Sequence, residues 1–283
     1  MLSWYQHIRA GETLILLGIP VIGVLSCKNE IKNIADILPI MLSFFLVETH
    51  VYMFNDWANA SHDRFDIKRS NKLLIRKPEL ATLYLLISIC MLFAGCAIAL
   101  FVSFNTFIAG IFIFIASFLY SSKKISLKEV PVLSSFIHVI AGTLYFLYGY
   151  LLYGDWDLKG VLIGLYFGMV YGAGHLNHEV KDHEADRMAG IKTSAVKYGP
   201  VRILYISFML MTLSNFYCIV LAVNGIMPWK IALLPVIGYP LYAFFFLQID
   251  KLKPRFENII RFRNKYRILY MIIGAVWIFV LLF

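Results

Sequence analysis

The sequence predicts an all-α integral membrane protein with nine transmembrane helices, and three observations lead there. Of its 283 residues, 60% are hydrophobic and only 15% charged, with a mean hydropathy of +0.74, far from the soluble mix of roughly half apolar and a quarter charged. Apolar stretches of about 17 to 25 residues recur along the chain, the length an α-helix needs to cross roughly 30 Å of hydrocarbon. Lysine and arginine gather in the short segments between those stretches.

Taken in order, the first stretch, 12–27, is followed by no small-residue cleavage site and by many further spans, so it is expected to stay as helix one rather than leave as a signal peptide. The second, 37–54, runs into the polar stretch NDWANASHDRFD, residues 55 to 66. Spans at 79–102, 104–120 and 130–153 follow, then 158–177, which leads into a second polar stretch, HLNHEVKDHEADRMAGIKTSAVKYGP, residues 175 to 200. Spans at 201–223, 229–249 and 267–283 complete the set. With the N-terminus placed in the cytoplasm, all 26 Lys and Arg except Lys28, Lys32, Lys159 and Lys230 fall on the cytoplasmic side, the bias that orients membrane proteins. The net charge of +9 is therefore topological, and no nucleic-acid partner is expected. Cys27, Cys90, Cys96 and Cys218 sit in or at the end of apolar runs without a CxxC pair and read as small core residues. No composition shift divides the chain, so residues 1–283 are expected to form one polytopic membrane domain, with polar loops at about 55–78 and 175–200.

Those two loops follow spans two and six, so both face the cytoplasm. In the first, Asn55, Asn59 and Asp63 recur every four residues, flanked by Asp56 and Asp66. A helix continued from span two puts these oxygens on adjacent turns. In the second, Asp182 and Asp186 are one turn apart, with His178, Glu179 and His183 beside them. Either island alone reads equally well as a solvated loop or helix cap. Two of them on one side, each rich in Lys or Arg, point to convergence, because clustered carboxylates repel unless a cation joins them. Carboxylates without thiolates suit Mg²⁺, which binds one or two carboxylates together with substrate phosphates. The three histidines lack an HExxH pattern or a companion cysteine, which argues against zinc.

Asn55, Asp56, Asn59 and Asp63, with Asp182, Asp186, Ala189, Gly190 and Thr193 in KDHEADRMAGIKTSAVKYG, resemble the two acidic motifs of the UbiA superfamily of intramembrane prenyltransferases, NDxxDxxxD and DxxxD followed by AGxxT. Tyr120 and Lys124, four residues apart, are similar to a diphosphate-contacting pair of that family, and Arg9 in HIRAGETL fits its first helix. The first motif departs from the pattern at Asn59, a neutral ligand in place of an aspartate. The resemblance implies nine helices around a central lipid-open cavity. It also implies Mg²⁺ held by Asp56, Asn59, Asp63, Asp182 and Asp186, with Asn55 beside them, and a prenyl diphosphate whose head is bound at the cytoplasmic mouth. The expected reaction is transfer of the prenyl group to a membrane-associated acceptor.

Metal ions draw charge from a leaving diphosphate, and cationic side chains such as Lys68, Lys124 and Arg187 bind it. The allylic cation left behind needs dry surroundings rich in π faces. Tyr145, Tyr148, Tyr150 and Tyr153 in one span, and Tyr166 and Tyr171 in the next, are candidates for those faces, although each taken singly reads as packing or an interface anchor. Gly142, Gly149, Gly168, Gly172 and Gly174 read as close-packing positions. His178, His183 or Glu179 is expected to bond an acidic neighbour or to help deprotonate the acceptor, and the basic run 251–267 is expected to meet anionic headgroups. Two other readings stay open: a terpene cyclase of the same superfamily, in which an internal double bond captures the cation, and a cation-gating transporter or lipid-binding protein. Against the transporter, the spans hold few ionisable groups, chiefly Glu12, Glu48, His50 and His138.

Overall fold

The computed structural model describes residues 10–27, 34–60, 73–122, 124–249 and 256–283. Arg9, Asp63, Asp66 and Lys68 lie outside them. Among the described residues there is no strand, and the helices are α1 (Ala10–Leu16), α2 (Gly18–Cys27), α3 (Leu38–Asn59), α4 (Leu73–Arg76), α5 (Ala81–Val102), α6 (Phe104–Ser121), α7 (Leu133–Tyr150), α8 (Leu158–Met188), α9 (Ser194–Tyr198), α10 (Pro200–Val223), α11 (Leu233–Leu247) and α12 (Phe256–Leu282). Helices are what the composition demands, since a backbone in hydrocarbon must satisfy its N–H and C=O groups within itself. Each apolar stretch read from the sequence is helical. Among the described residues, seven helices are long and apolar enough to cross a membrane, while Gly11–Cys27 is shorter. Helix α8 carries polar residues through its last three turns, so that its apolar part, 158–177, continues unbroken into the second island.

The bundle is drawn together at glycines. A Cβ on Gly149 would lie 1.8 Å from the Pro20 carbonyl oxygen and one on Gly23 2.2 Å from that of Phe146, which locks α2 against α7. Between α7 and α8, a Cβ on Gly168 would come 2.3 Å from the Val139 carbonyl oxygen, and one on Gly142 2.9 Å from the Gly168 Cα. Such contacts substitute for the hydrophobic drive that helices lack when lipid is as apolar as they are. Gly174 differs from the expectation: a Cβ there would meet only the Tyr266 hydroxyl, at an ordinary contact distance of 3.9 Å. Cys96 and Cys218 are buried as expected, whereas Cys90 is exposed on the outer face.

Polar caps mark the helix ends. Asp157 Oδ1 accepts from the Gly160 N–H at 2.7 Å while its Oδ2 accepts from the Tyr150 hydroxyl at 2.9 Å, starting α8 and tying it to α7. At its other end Gly190, at φ +74°, lets the chain reverse. The Ile191 N–H bonds the Asp186 carbonyl at 2.9 Å and the Gly190 N–H that of Arg187 at 3.2 Å, the paired bonds of a Schellman stop. Thr193 then caps α9 by accepting from the Val196 N–H. The AGxxT stretch is therefore a stop followed by a start, and it ends α8 within one turn of Asp186.

Two glycine substitutions test the packing. Gly168→Ala forces Val139 aside and is expected to cost about 1–3 kcal/mol, read as a lower melting temperature in detergent. Gly174→Ala is expected to leave that temperature unchanged.

Candidate active site

A cavity of about 850 Å³ opens at the end of the bundle that carries both polar islands. Asn55 and Asn59 reach it from the last turn of α3; His175, His178, Glu179, Lys181, Asp182 and Asp186 reach it from α8. Glu12, Tyr120, Ser121, Lys128, Arg263 and Arg267 complete the polar mouth. Deeper in, the wall turns apolar and aromatic, with Tyr145, Tyr166, Phe167, Tyr171, Tyr270 and Trp277. On one side the lining comes from α1, α2 and α12, where Leu14 and Met271 are half exposed.

The first island holds its i, i+4 spacing: Asn59 Nδ2 donates to Asn55 Oδ1 at 2.8 Å, and the Ser121 hydroxyl donates to the same oxygen at 3.1 Å. Lys128 Nζ donates to Asn59 Oδ1. The one acceptor atom of Asn59 thus faces an ammonium rather than a metal position. Asp56 is buried and does not line the cavity.

In the second island Asp182 and Asp186 both line the cavity, one turn apart, and Lys181 Nζ lies 3.1 Å from Asp182 Oδ1. Glu179 is anchored from three sides. Its Oε1 accepts from the Ser134 hydroxyl at 2.7 Å and from His175 Nε2 at 3.1 Å, and its Oε2 accepts from the Ala195 N–H at 3.2 Å. Burial alone would raise its pKa, but the hydrogen bonds from His175, Ser134 and Ser194 outweigh burial and hold the carboxyl below its ordinary value. Burial, and then the charges of Arg263 and Lys181, hold His178 well below the usual histidine range, so it is neutral at physiological pH.

Other expected residues fall elsewhere. Lys124 and Arg187 are exposed and off the cavity; Lys128, one turn beyond Lys124, takes the place at the mouth. His183 also stays off the lining. Of the tyrosines in α7, Tyr145 reaches the cavity, whereas Tyr148 turns into the core to bond Ser43 at 2.6 Å and Tyr150 bonds Asp157. Arg263 and Arg267, read as headgroup contacts, line the cavity. Of the ionisable groups expected within spans, Glu12 and His138 line the cavity, while Glu48 and His50 are buried away from it, the latter against the Ser88 hydroxyl at 2.9 Å.

Among the described residues no three His, Cys, Asp or Glu side chains gather closely enough to hold a metal by themselves. The donor chemistry still fits Mg²⁺, since Asp182 and Asp186 offer two all-oxygen ligands at a mouth wide enough for a phosphate-bearing partner to supply the rest.

Comparison with known proteins agrees with this fold. A Thermococcus sibiricus digeranylgeranylglyceryl phosphate synthase is 24% identical over 184 residues, a match spanning 63% of this chain and 63% of that relative. The structure of a UbiA homolog from Archaeoglobus fulgidus, bound to DMAPP and Mg²⁺, superposes with a TM-score of 0.76 at 20% identity, over 98% of this chain and 99% of the other. A UbiA homolog from Aeropyrum pernix K1, in its apo form, superposes with a TM-score of 0.74 at 13% identity, over 96% and 98%. The description UbiA prenyltransferase family matches residues 16–282, nearly the whole length, and the chain belongs to that family.

Proposed function

We propose that this protein is a Mg²⁺-dependent prenyltransferase that moves an isoprenyl group from a prenyl diphosphate to a membrane-associated acceptor, working as one polytopic domain whose N-terminus and both acidic motifs face the cytoplasm. The observation that carries the reading is the single cavity onto which the two islands open, polar at its mouth and aromatic within. The A. fulgidus homolog bound to DMAPP and Mg²⁺ supports it, as does the bias of Lys and Arg toward the loops bearing the islands.

In this reading Asp182 and Asp186 hold the metal, joined from the first island by Asp63 and by Asp56 at the end of α3. Bound Mg²⁺ supplies the positive charge that makes diphosphate a good leaving group. Lys128 and Lys181 add ammonium donors to the departing oxygens, a role shared with Arg9 and Lys68. Tyr120 and Asn59 border the head, with Asn59 orienting Lys128. Tyr145, Tyr166, Phe167, Tyr171 and Trp277 surround the space below with π faces and exclude water, so the allylic cation is stabilised and spared hydrolysis. In this reading the breaking bond lies at the border between the polar and aromatic parts of the cavity.

Purified protein given dimethylallyl diphosphate and a range of acceptors is expected to release diphosphate only with Mg²⁺, and EDTA is expected to stop it; release that ignores the metal would count against the reading. Asp182→Asn is expected to lower kcat/KM by about 100-fold. Lys128→Met, which removes a charge-assisted contact, is expected to raise the KM for the prenyl diphosphate by about tenfold, whereas Lys124→Met leaves it near the wild-type value. The reverse order in steady-state kinetics would move the diphosphate away from Lys128.

A further inference from the structure

Prenyl transfer ends with a proton to dispose of, and the carboxylates that would hold the metal are not the groups to take it. On the inner side of Glu179, His138 of α7 and His175 of α8 stack with ring centroids 3.6 Å apart and planes 10° from parallel. Both line the cavity. His138 Nδ1 lies 2.8 Å from the Ser134 carbonyl oxygen. A carbonyl only accepts, so the hydrogen is on Nδ1 and the lone pair on Nε2. The same logic puts the hydrogen of His175 on Nε2, facing the Glu179 carboxylate at 3.1 Å, and the lone pair on Nδ1. Ser134 serves both rings, with its carbonyl holding one and its hydroxyl, 2.7 Å from Glu179 Oε1, holding the carboxylate that orients the other. Both residues belong to the cavity wall, so a ligand held there is within reach of the pair.

Two imidazoles this close cannot both be cations, so the pair has room for at most one added proton. Its surroundings suit that one charge. From α8 it faces the Glu179 carboxylate, neutral His178 and the Tyr171 ring, at 5.4 Å from His138; from α6 it faces the Tyr120 ring, edge-on at 4.8 Å to His138 and 5.9 Å to His175; from α7 it faces Ser134. The cations Lys181, Arg263 and Arg267 line the mouth beyond, with Glu12 across from them. At about 1.5 Å per helical residue, His175 lies roughly 10 Å from Asp182 toward the aromatic pocket, on the path where a prenyl carbon would leave its diphosphate.

We propose that the stacked His138–His175 pair, positioned by Glu179 and Ser134, accepts the proton from the nucleophile that captures the prenyl cation. The inference rests on the prenyl-transfer reading above. In the step, the bond from C1 to the diphosphate oxygen breaks and both its electrons leave on the diphosphate. An electron pair of the acceptor atom forms the new bond to C1, and the proton that atom carried passes to an unbonded imidazole nitrogen. Glu179 balances the resulting imidazolium until water at the mouth removes the proton.

The test uses the full-length protein with Mg²⁺ and dimethylallyl diphosphate, offering two nucleophiles: phenol, which must lose a proton, and azide, which has none to lose. His138→Asn and His175→Gln retain the N–H donors to Ser134 and Glu179 while removing the basic nitrogens. Both are expected to lower transfer to phenol by about 100-fold while azide capture stays within about threefold of wild type. Added imidazole is expected to restore part of the phenol reaction, and the acidic limb of its pH–rate profile is expected to flatten. Parallel loss with both nucleophiles would make the pair a scaffold only, and undiminished phenol transfer would give the proton to another group; either result overturns the proposal. Wild-type protein that releases no diphosphate with either nucleophile fails the prenyl-transfer reading itself, and the proton-acceptor role falls with it.

Discussion

The approach of α7 to α8 is the contact on which the site depends. With no side chain at Gly142, Gly168 or Gly172, the two backbones come within van der Waals reach. That separation lets Ser134 reach Glu179 and stacks His138 on His175. In a soluble protein such a seam would be held by burying apolar surface. Here lipid offers the same apolar surroundings, so the close fit and a few polar ties must hold it instead. Asp182 and Asp186 lie further along the same α8 helix, one turn apart, so the helix itself sets their spacing.

The same economy runs through the rest of the bundle. The Ser43 hydroxyl donates to the Gly95 carbonyl at 2.6 Å and meets the Tyr148 hydroxyl at the same distance, joining α3, α5 and α7 at one point. His50 meets Ser88 across α3 and α5. The Tyr217 hydroxyl donates to the Leu162 carbonyl across α10 and α8. Each tie satisfies a polar group that would otherwise be costly in hydrocarbon, and together they leave the cavity as the place where polar atoms remain open to a ligand.

Much of this was legible in the residues because hydropathy and charge act locally. Apolar run length located the helices, and the two acidic islands announced themselves by contrast with their surroundings. What the sequence could not carry was phase and distance. Whether Asp56 faces the cavity or the core depends on the rotation of α3, and the same question separates Tyr145 from Tyr148. Arg263 and Arg267 belong to a basic run that reads as a headgroup contact until the register of α12 turns them inward. Lys128 displaces Lys124 because the loop before α7 folds through left-handed backbone at Ser126 (φ 45°) and Val132 (φ 71°), conformations that neither residue type advertises. The histidine stack joins positions 37 residues apart in sequence, and only the helix seam reveals it.

The half-exposed flank formed by Leu14 on α1 and Met271 on α12 bears on traffic. An oily chain leaving by that side never crosses water, so its departure is a partition between two hydrocarbon phases rather than a dissociation into solvent. The surrounding bilayer then serves as both supply and sink. Its thickness, fluidity and loading enter the kinetics on equal terms with the residues of the cavity wall.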